Sequence, residues 1–357
     1  MKDLYLQKFG LALKKDLKNE SGWDMICKEM QDPYPKMEER ICTMKKFLSL
    51  LMAVMMMATI LTGCGKKELT FTTGSETGTY YGFGTVLAGQ ISDRTDTTVT
   101  AIVGKGSKAN IELMSVGDAQ LGLVQSDVMT YAYNGTTSMF ENNKIDNFST
   151  VAALYMEQVQ LVTLDPNIKS VADLKGKTVS VGESGSGVYF NAIDILAAYD
   201  LTLDDINPTY QSFGDSTEAL QDGKIDAGFI TSGAPTNAIT SLATTRDVYL
   251  VELDDEHIDK LCSSNTFYSK NVIPASVYGL DKDTTTVAVG AVIIARDDVK
   301  DDDVYNVVSG IFESVDTLAH DKKNELSLDF AAGVTSVPYH PGAAKYFAEK
   351  GFTVPTK

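Results

Sequence analysis

The sequence predicts a two-lobed α/β clamshell. Each lobe is a mixed, mostly parallel sheet flanked by helices, and two long strands cross between the lobes as hinges. Three observations carry this. A two-part pattern occurs twice: Phe71–Tyr81 and Val179–Phe190 each read as a short β-rich run, a Gly/Ser/Thr loop and the start of an apolar helical run, and Gly117–Asp127 aligns with Gly223–Gly233 without a gap. Strand and helix signals alternate along the chain, which argues for a parallel-type sheet covered by helices. Two β-prone runs, 151–164 and 286–295, are long enough to pass from one lobe into the other.

The elements follow in order. Leu69–Thr73 reads as a strand, Gly78–Ser92 as a helix with one apolar face, Thr98–Val103 as a strand, and Ser107 opens a helix to Val116. Leu121–Val124 is a buried strand and Ser126–Tyr133 a helix, with Ser126 or Asp127 expected to cap it. The run 151–164, closed by Asp165-Pro166, leads out of the first lobe. Ser170 and Asp173 form an acidic variant of the capping box, and Gly176 is a helix stop. The helix after Gly187 runs to Tyr199, and Asp215 with Glu218 is expected to cap another that ends near Gly223. After the return strand 286–295, Asp301–Ala319 is an amphipathic helix with Asp301, Asp302 and Asp303 at its positive end. Pro341 starts a last helix through Glu349, with His340 as its cap.

Residues 44–64 set the expected compartment. Met44-Lys45-Lys46 is a basic start, 47–61 is apolar apart from Ser49 and Thr59, and Leu61-Thr62-Gly63-Cys64 ends the run. This resembles a bacterial lipoprotein signal in which Cys64 is acylated and becomes the N-terminus. The apolar run is shorter than the roughly 20 residues needed to span a bilayer. Residues 1–43 are then expected to be an upstream extension outside the native protein, 44–63 the signal peptide and 64–68 a tether. Of the four cysteines only Cys262 remains beyond Cys64, so no intramolecular disulfide is expected and a hydrophobic core must supply the stability. Residues 64–357 carry 21 Lys+Arg against 40 Asp+Glu, a charge that argues against a nucleic-acid partner.

Enzymatic motifs are missing from the sequence, and no cofactor, metal or catalytic residue is expected. Gly182-Glu183-Ser184-Gly185-Ser186 lacks the last glycine of a nucleophile elbow, and His257, His320 and His340 adjoin no Ser or Cys motif. The run 301–303 lacks the glycine and distal glutamate of a calcium loop, and no Lys-Ser/Thr follows Gly74–Gly78 as a phosphate loop requires.

The two loops suit a binding cleft. Ser75, Gly78, Thr79 and Tyr80 in one lobe, and Ser184, Gly185, Ser186 and Gly187 in the other, put free N–H groups and hydroxyls at helix starts, where an anion is favoured. Gln125 and Thr231, with Asp127 and Ser232 beside them, follow buried strands, at the carboxyl ends where open α/β sheets bind ligands. Asp127 would either accept from a ligand amine or cap its helix. Tyr155 would either touch the ligand or pack in the core. Arg246 is expected in a surface ion pair.

The segments Thr73–Tyr81, Val124–Asp127, Ser170–Gly182, Gly185–Gly187, Ala243–Asp247 and His340–Ala344 together resemble the TAXI family, the extracytoplasmic solute receptors of TRAP transporters, over nearly all of 68–350. The resemblance implies a type II periplasmic-binding fold, a small carboxylate ligand such as glutamate or 2-oxoglutarate, and a multi-spanning membrane permease as partner. Where the family pattern has Thr-Gly-Gly-Ser, this chain has Val103-Gly104-Lys105-Gly106-Ser107, which adds Lys105 and Ser107 to the candidate ligand contacts. The lobes expected are 69–160 with 287–357, and 161–286, in a monomer tethered to the bilayer through Cys64. A surface-tethered sensor or adhesin on the same fold is the alternative, and a neighbouring permease gene would decide for transport.

Overall fold

The computed structural model describes residues 68–137 and 139–357. The segment expected to be a signal peptide, Cys64 and the upstream residues 1–43 lie outside the described residues.

The first strand, β1 (Glu68–Thr72), alternates exposed and buried positions before its end sinks into the core. It leads to α1 (Thr79–Arg94), which buries Tyr80, Phe83, Leu87 and Ile91 at the three- and four-residue spacing of one helix face. Next come β2 (Thr98–Ile102), α2 (Ser107–Ser115), β3 (Leu121–Gln125) and α3 (Ser126–Asn134). The long strand β4 (Phe148–Thr163) is buried almost throughout and opens the second half. That half holds β5 (Thr178–Ser180), α4 (Gly187–Ala198), β6 (Asn207–Thr209), α5 (Phe213–Gln221), β7 (Ala227–Ser232), α6 (Asn237–Ala243), β8 (Tyr249–Leu250), α7 (Asp255–Ser264) and β9 (Ser269–Ile273). The return strand β10 (Thr284–Arg296) is followed by α8 (Asp301–Phe312), α9 (Leu328–Ala331) and α10 (Pro341–Glu349).

Among the described residues the strands form one sheet in the order β2-β1-β3-β10-β4-β7-β5-β6, with β8 on β4 and β9 on β10. β4 and β10 pair antiparallel from Phe148↔Arg296 to Gln158↔Ala288. Each changes its outer partner midway. β10 pairs β9 through Thr284–Ala288 and β3 through Ala291–Ala295. β4 takes β7 from Gln158 onward. Beyond β10 the strands β2, β1 and β3 run parallel to one another, beyond β4 so do β7, β5 and β6, and helices cover both groups, so the molecule has the two lobes and the paired crossing strands of a type II periplasmic-binding fold.

The core divides accordingly. Phe71, Phe83, Leu87, Ile293, Val307, Tyr346 and Phe347 pack together in the first lobe, so the C-terminal helices return to it. Val159, Val179, Ile195, Phe229, Leu253 and Val287 pack in the second. Gly117 and Gly223, aligned in the internal repeat, both sit at positive φ (98° and 68°) in the turn that ends a helix before its strand. The sequence repeat is thus a repeat of backbone geometry.

Three expectations about helix ends need correction. α5 is capped by Ser212, whose Oγ accepts from the Asp215 amide at 3.1 Å, so Asp215 lies inside the first turn. α8 stops at Phe312, because Thr317 bonds the Ser314 carbonyl and Gln90 and draws the chain into a tighter turn that buries Leu318. Neither Ser126 nor Asp127 caps α3. Its N-cap is Gln125, and the Ser126 hydroxyl instead accepts from the Gly290 amide. His340 does cap α10, through Nδ1 to the Gly342 amide.

Candidate functional site

A cavity lies between the lobes at the strand handover. Helix starts surround it: Gly78, Thr79 and Tyr80 of α1, Gly106 and Ser107 of α2, and Gln125 before α3 face Ser186 and Gly187 of α4 and Ser212 and Phe213 of α5. Thr231 and Ser232 close it from the end of β7, Glu157 from β4, and Ser75, Lys105 and Glu183 line it as well. The cavity is small, about 40 Å³, with room for a few waters or for the polar groups of a small solute.

The lobes touch directly around it. The Thr79 amide donates to Ser232 Oγ at 3.1 Å, and Thr79 Oγ1 donates to the Gly233 carbonyl at 3.0 Å. The Ala109 amide donates to the Gly185 carbonyl at 3.0 Å, and the Ala238 amide to the Thr77 carbonyl at 3.2 Å. A β-carbon at Gly187 would collide with the Gln125 side-chain amide, so glycine there permits the close approach of the two lobes. These bonds describe a closed cleft.

Several polar atoms around the cavity are buried without a partner among the described residues: Ser75 Oγ, the Tyr80 hydroxyl, Gln125 Oε1, Glu157 Oε2 and Thr231 Oγ1. Leaving such atoms unpaired is costly, and clustering them round one cavity marks a place where a polar molecule completes the bonding. The N-cap residues of α1, α2 and α3 make no side-chain bond to their own helices, although Ser232 Oγ takes the Thr79 amide of α1 and the Gly185 carbonyl takes the Ala109 amide of α2. Their first-turn N–H groups, with the positive ends of the helix dipoles, favour an anion. Among the described residues no arginine lines the cavity, and its one lysine, Lys105, is exposed.

Most of the residues expected from the sequence line this space: Ser75, Gly78, Thr79, Tyr80, Lys105, Ser107, Gln125, Ser186, Gly187, Thr231 and Ser232. Asp127, Ser184 and Gly185 do not. Ser184 is exposed on the outside of its loop, while Gly185 is buried against Ala109. Asp127 lies behind the cavity, where its Oδ2 accepts from Asn191 at 3.2 Å. Asn191 also donates to the Tyr268 hydroxyl at 2.7 Å and accepts from Gln125 at 3.0 Å. Burial, with the nearby charge of Asp194, pushes the Asp127 carboxyl up to about 7.

Arg246 bonds the Gln221 carbonyl at 3.2 Å, and the expected surface ion pair is replaced by that bond. Tyr155 is buried in the core, edge-on to Phe83 at 5.9 Å. Its hydroxyl lacks a partner among the described residues.

Glu157 was not among the expected residues. It sits 2 % exposed at the middle of β4, and burial pushes its carboxyl up to about 8 against the opposing influence of Tyr80 and Lys322. The signal was present, since Glu157 is the only charged side chain in 148–163. Lys322 was missed too. Its ammonium is buried over the Tyr155 ring at 5.3 Å and paired with Glu325.

Among the described residues no group of three or more His, Cys, Asp or Glu could hold a metal ion, and no described helix is long and apolar enough to cross a membrane.

The NMT1-like family matches residues 71–351 of this chain. Solved structures similar to it include the alkanesulfonate-binding protein SsuA from Xanthomonas axonopodis pv. citri bound to MOPS, at 17% identity over 80% of this chain and 85% of that one, with a TM-score of 0.47. A putative L-cystine ABC transporter protein from Listeria monocytogenes matches at 15% identity over 74% and 98%, with a TM-score of 0.46. A periplasmic binding protein of Salmonella typhimurium with high arginine specificity matches at 14% identity over 72% and 96%, with a TM-score of 0.44.

Proposed function

The chain belongs to the NMT1-like family, and from that premise and the cavity between its lobes we propose that it is an extracytoplasmic solute-binding receptor. It captures a small carboxylate such as glutamate or 2-oxoglutarate and delivers it to a membrane permease of the TRAP type. The observation that carries this reading is the set of buried polar atoms from both lobes that lack a partner among the described residues, gathered at helix starts around one closed cavity. Such a site binds and orients an anion. It has no nucleophile–base pair, so capture and release is the chemistry it suits.

The mechanism is a hinge. The handover between β4 and β10 lets the lobes part, the solute enters and seats its carboxylate at the helix starts, and the Thr79–Ser232 and Ala109–Gly185 bonds form as the cleft closes. The closed surface is what the permease reads, and acylated Cys64 keeps the receptor beside it.

A thermal-shift screen of the purified protein against amino acids, 2-oxo acids, dicarboxylates and sugars tests the reading, because a ligand specific to the folded form raises the melting temperature. A shift with small acids and none with sugars is the expected result. Silence across every small acid would remove the carboxylate-receptor reading.

A further inference from the structure

We infer that Asn191 is a positioning residue for capture: carried in on the second lobe, it takes the Asp127 carboxyl and the Gln125 side-chain amide of the first lobe at once, and so sets Gln125 Oε1 on the cavity wall only when the cleft is shut. This rests on the receptor reading and adds the group behind the cavity through which closure shapes the site.

Hydrogen-bond polarity fixes the orientation. Asn191 is fully buried on α4, and its Nδ2 donates to Asp127 Oδ2 at 3.2 Å and to the Tyr268 hydroxyl at 2.7 Å. That hydroxyl gives its own hydrogen to Asp194 Oδ2 at 3.0 Å, so towards Asn191 it can only accept. Both Nδ2 hydrogens are thus committed, and Oδ1 is what remains for the first lobe. Gln125 Nε2 donates to it at 3.0 Å. This turns Gln125 Oε1 the other way, over Gly187 and onto the cavity wall, where it lacks a partner among the described residues. Phe190, beside Asn191 on α4, is buried among first-lobe side chains and stacks on Phe140 at 6.2 Å, so apolar packing flanks these bonds. Polar bonds closed off from water in this way hold their geometry firmly. Once the lobes part, Asn191 leaves both first-lobe partners, and the Gln125 amide is free to turn.

Closing also takes Asp127 out of water. The titratable groups facing it are Asp194 from α4, Tyr268 ahead of β9, Glu157 from β4 and Tyr131 on its own helix, and none of these is a cation. Burial first, and then the charge of Asp194, raise the carboxyl to about 7, with Asn191 and the first backbone amides of α3 opposing. In the open form water faces the carboxyl and draws it toward its ordinary 3.8. A group held higher in the closed form favours closure fully below about pH 4 and loses that contribution as pH rises through 7, so closing takes up a proton in that range. Solute affinity should therefore fall with rising pH between 5 and 7, by at most roughly tenfold per unit. Glu157 titrates higher, at about 8, and acts above that range.

Calorimetry with glutamate and with 2-oxoglutarate, from pH 5 to 8 and in buffers of different ionisation enthalpy, tests this on the purified wild type and its variants. For whichever acid binds the wild type, Asn191→Leu should weaken it roughly tenfold or more at every pH. Gln125→Ala added to Asn191→Leu should cost little further, because the two side chains act as one. Asn191→Asp gives the sharper readout, and being nearly the same shape it keeps the test open if Asn191→Leu does not fold. Ionised, its carboxylate cannot donate to Asp127 and repels it, so the loss is largest at pH 8. Protonated, it regains a donor, and affinity should return to within about fivefold of wild type at pH 5. The proton taken up on binding to the wild type at pH 6 should vanish in Asp127→Asn. A loss in Asn191→Asp that is equal at every pH, or fully additive losses in the double variant, would make Asn191 a packing residue and overturn the inference while the receptor reading stands. If neither acid binds the wild type at any pH, the carboxylate-receptor reading fails and this inference falls with it.

Discussion

The two lobes meet the cavity in different ways. In the first lobe the starts of α1, α2 and α3 have Gly78, Gly106 and Gln125 at their N-caps, none of which bonds its own helix through its side chain; the one first-turn amide of α1 and the one of α2 that are bonded, Thr79 and Ala109, reach across to Ser232 Oγ and the Gly185 carbonyl. In the second lobe Ser186 and Ser212 each cap their own helix, accepting from the Tyr189 and Asp215 amides. A helix start whose amides are already bonded has less to give a ligand. The difference teaches that the first lobe holds the anion and the second closes over it, supplying Thr231, Ser232 and the face of Phe213. The partnerless atoms agree, since Ser75, Tyr80 and Gln125 belong to the first lobe and Thr231 to the second.

The largest effect should come from breaking the contact that joins the two. Thr79→Val keeps the shape but removes both bonds of Thr79 Oγ1, the one to the Gly233 carbonyl and the one it accepts from the Ser232 hydroxyl. Ligand affinity should fall roughly 10- to 100-fold, measured by calorimetry, with little change in the melting temperature of the empty protein. An equal loss of stability would make Thr79 a residue of the fold rather than of closure.

Protonation gives the next effect. Asp127 and Glu157 hold protons in the folded state up to about 7 and 8, above their values in an unfolded chain. The stability from that proton binding is complete below about pH 4 and is lost as pH rises through 7 and 8. The melting temperature of the empty protein should therefore drop by several degrees between pH 5 and 9. Asp127→Asn should flatten the lower part of the fall and Glu157→Gln the upper part. A flat profile in the wild type would contradict the burial of both groups.

Removing the second lobe's caps should separate stability from binding. Ser212→Ala should cost about 1 kcal/mol of stability, with affinity changed by less than about threefold. Ser186→Ala should behave alike, although Ser186 also lines the cavity. A far larger binding loss in Ser186→Ala than in Thr79→Val would reverse the assignment of roles. Lys105, exposed at the cavity wall, should matter least, and Lys105→Ala should mainly reduce the salt dependence of association.

The sequence made the strand–loop–helix units legible because hydroxyls and glycines gathered where an apolar run began. The repeat of Gly117 and Gly223 pointed to both strand ends, and Gln125 and Thr231 were readable there. Residues 237–283 offered less, since β8 has two residues and β9 lies at the edge with mostly exposed side chains, so neither carries a clear alternation. Asp127 was readable as a polar residue at a strand end, but only tertiary packing turns it toward Asn191 and away from the cavity. Lys322 comes from a turn 165 residues after Glu157 in sequence, and no local pattern brings that ammonium over Tyr155.

The most direct test of the central claim is a crystal structure of the protein with its tightest-binding small acid. The account predicts that the ligand carboxylate lies within hydrogen-bond distance of the first-turn N–H groups of α1 or α2, with the Thr79–Ser232 bond closed over it. A carboxylate seated on Ser186 or Ser212 in the second lobe, or a ligand outside the cavity, would contradict it.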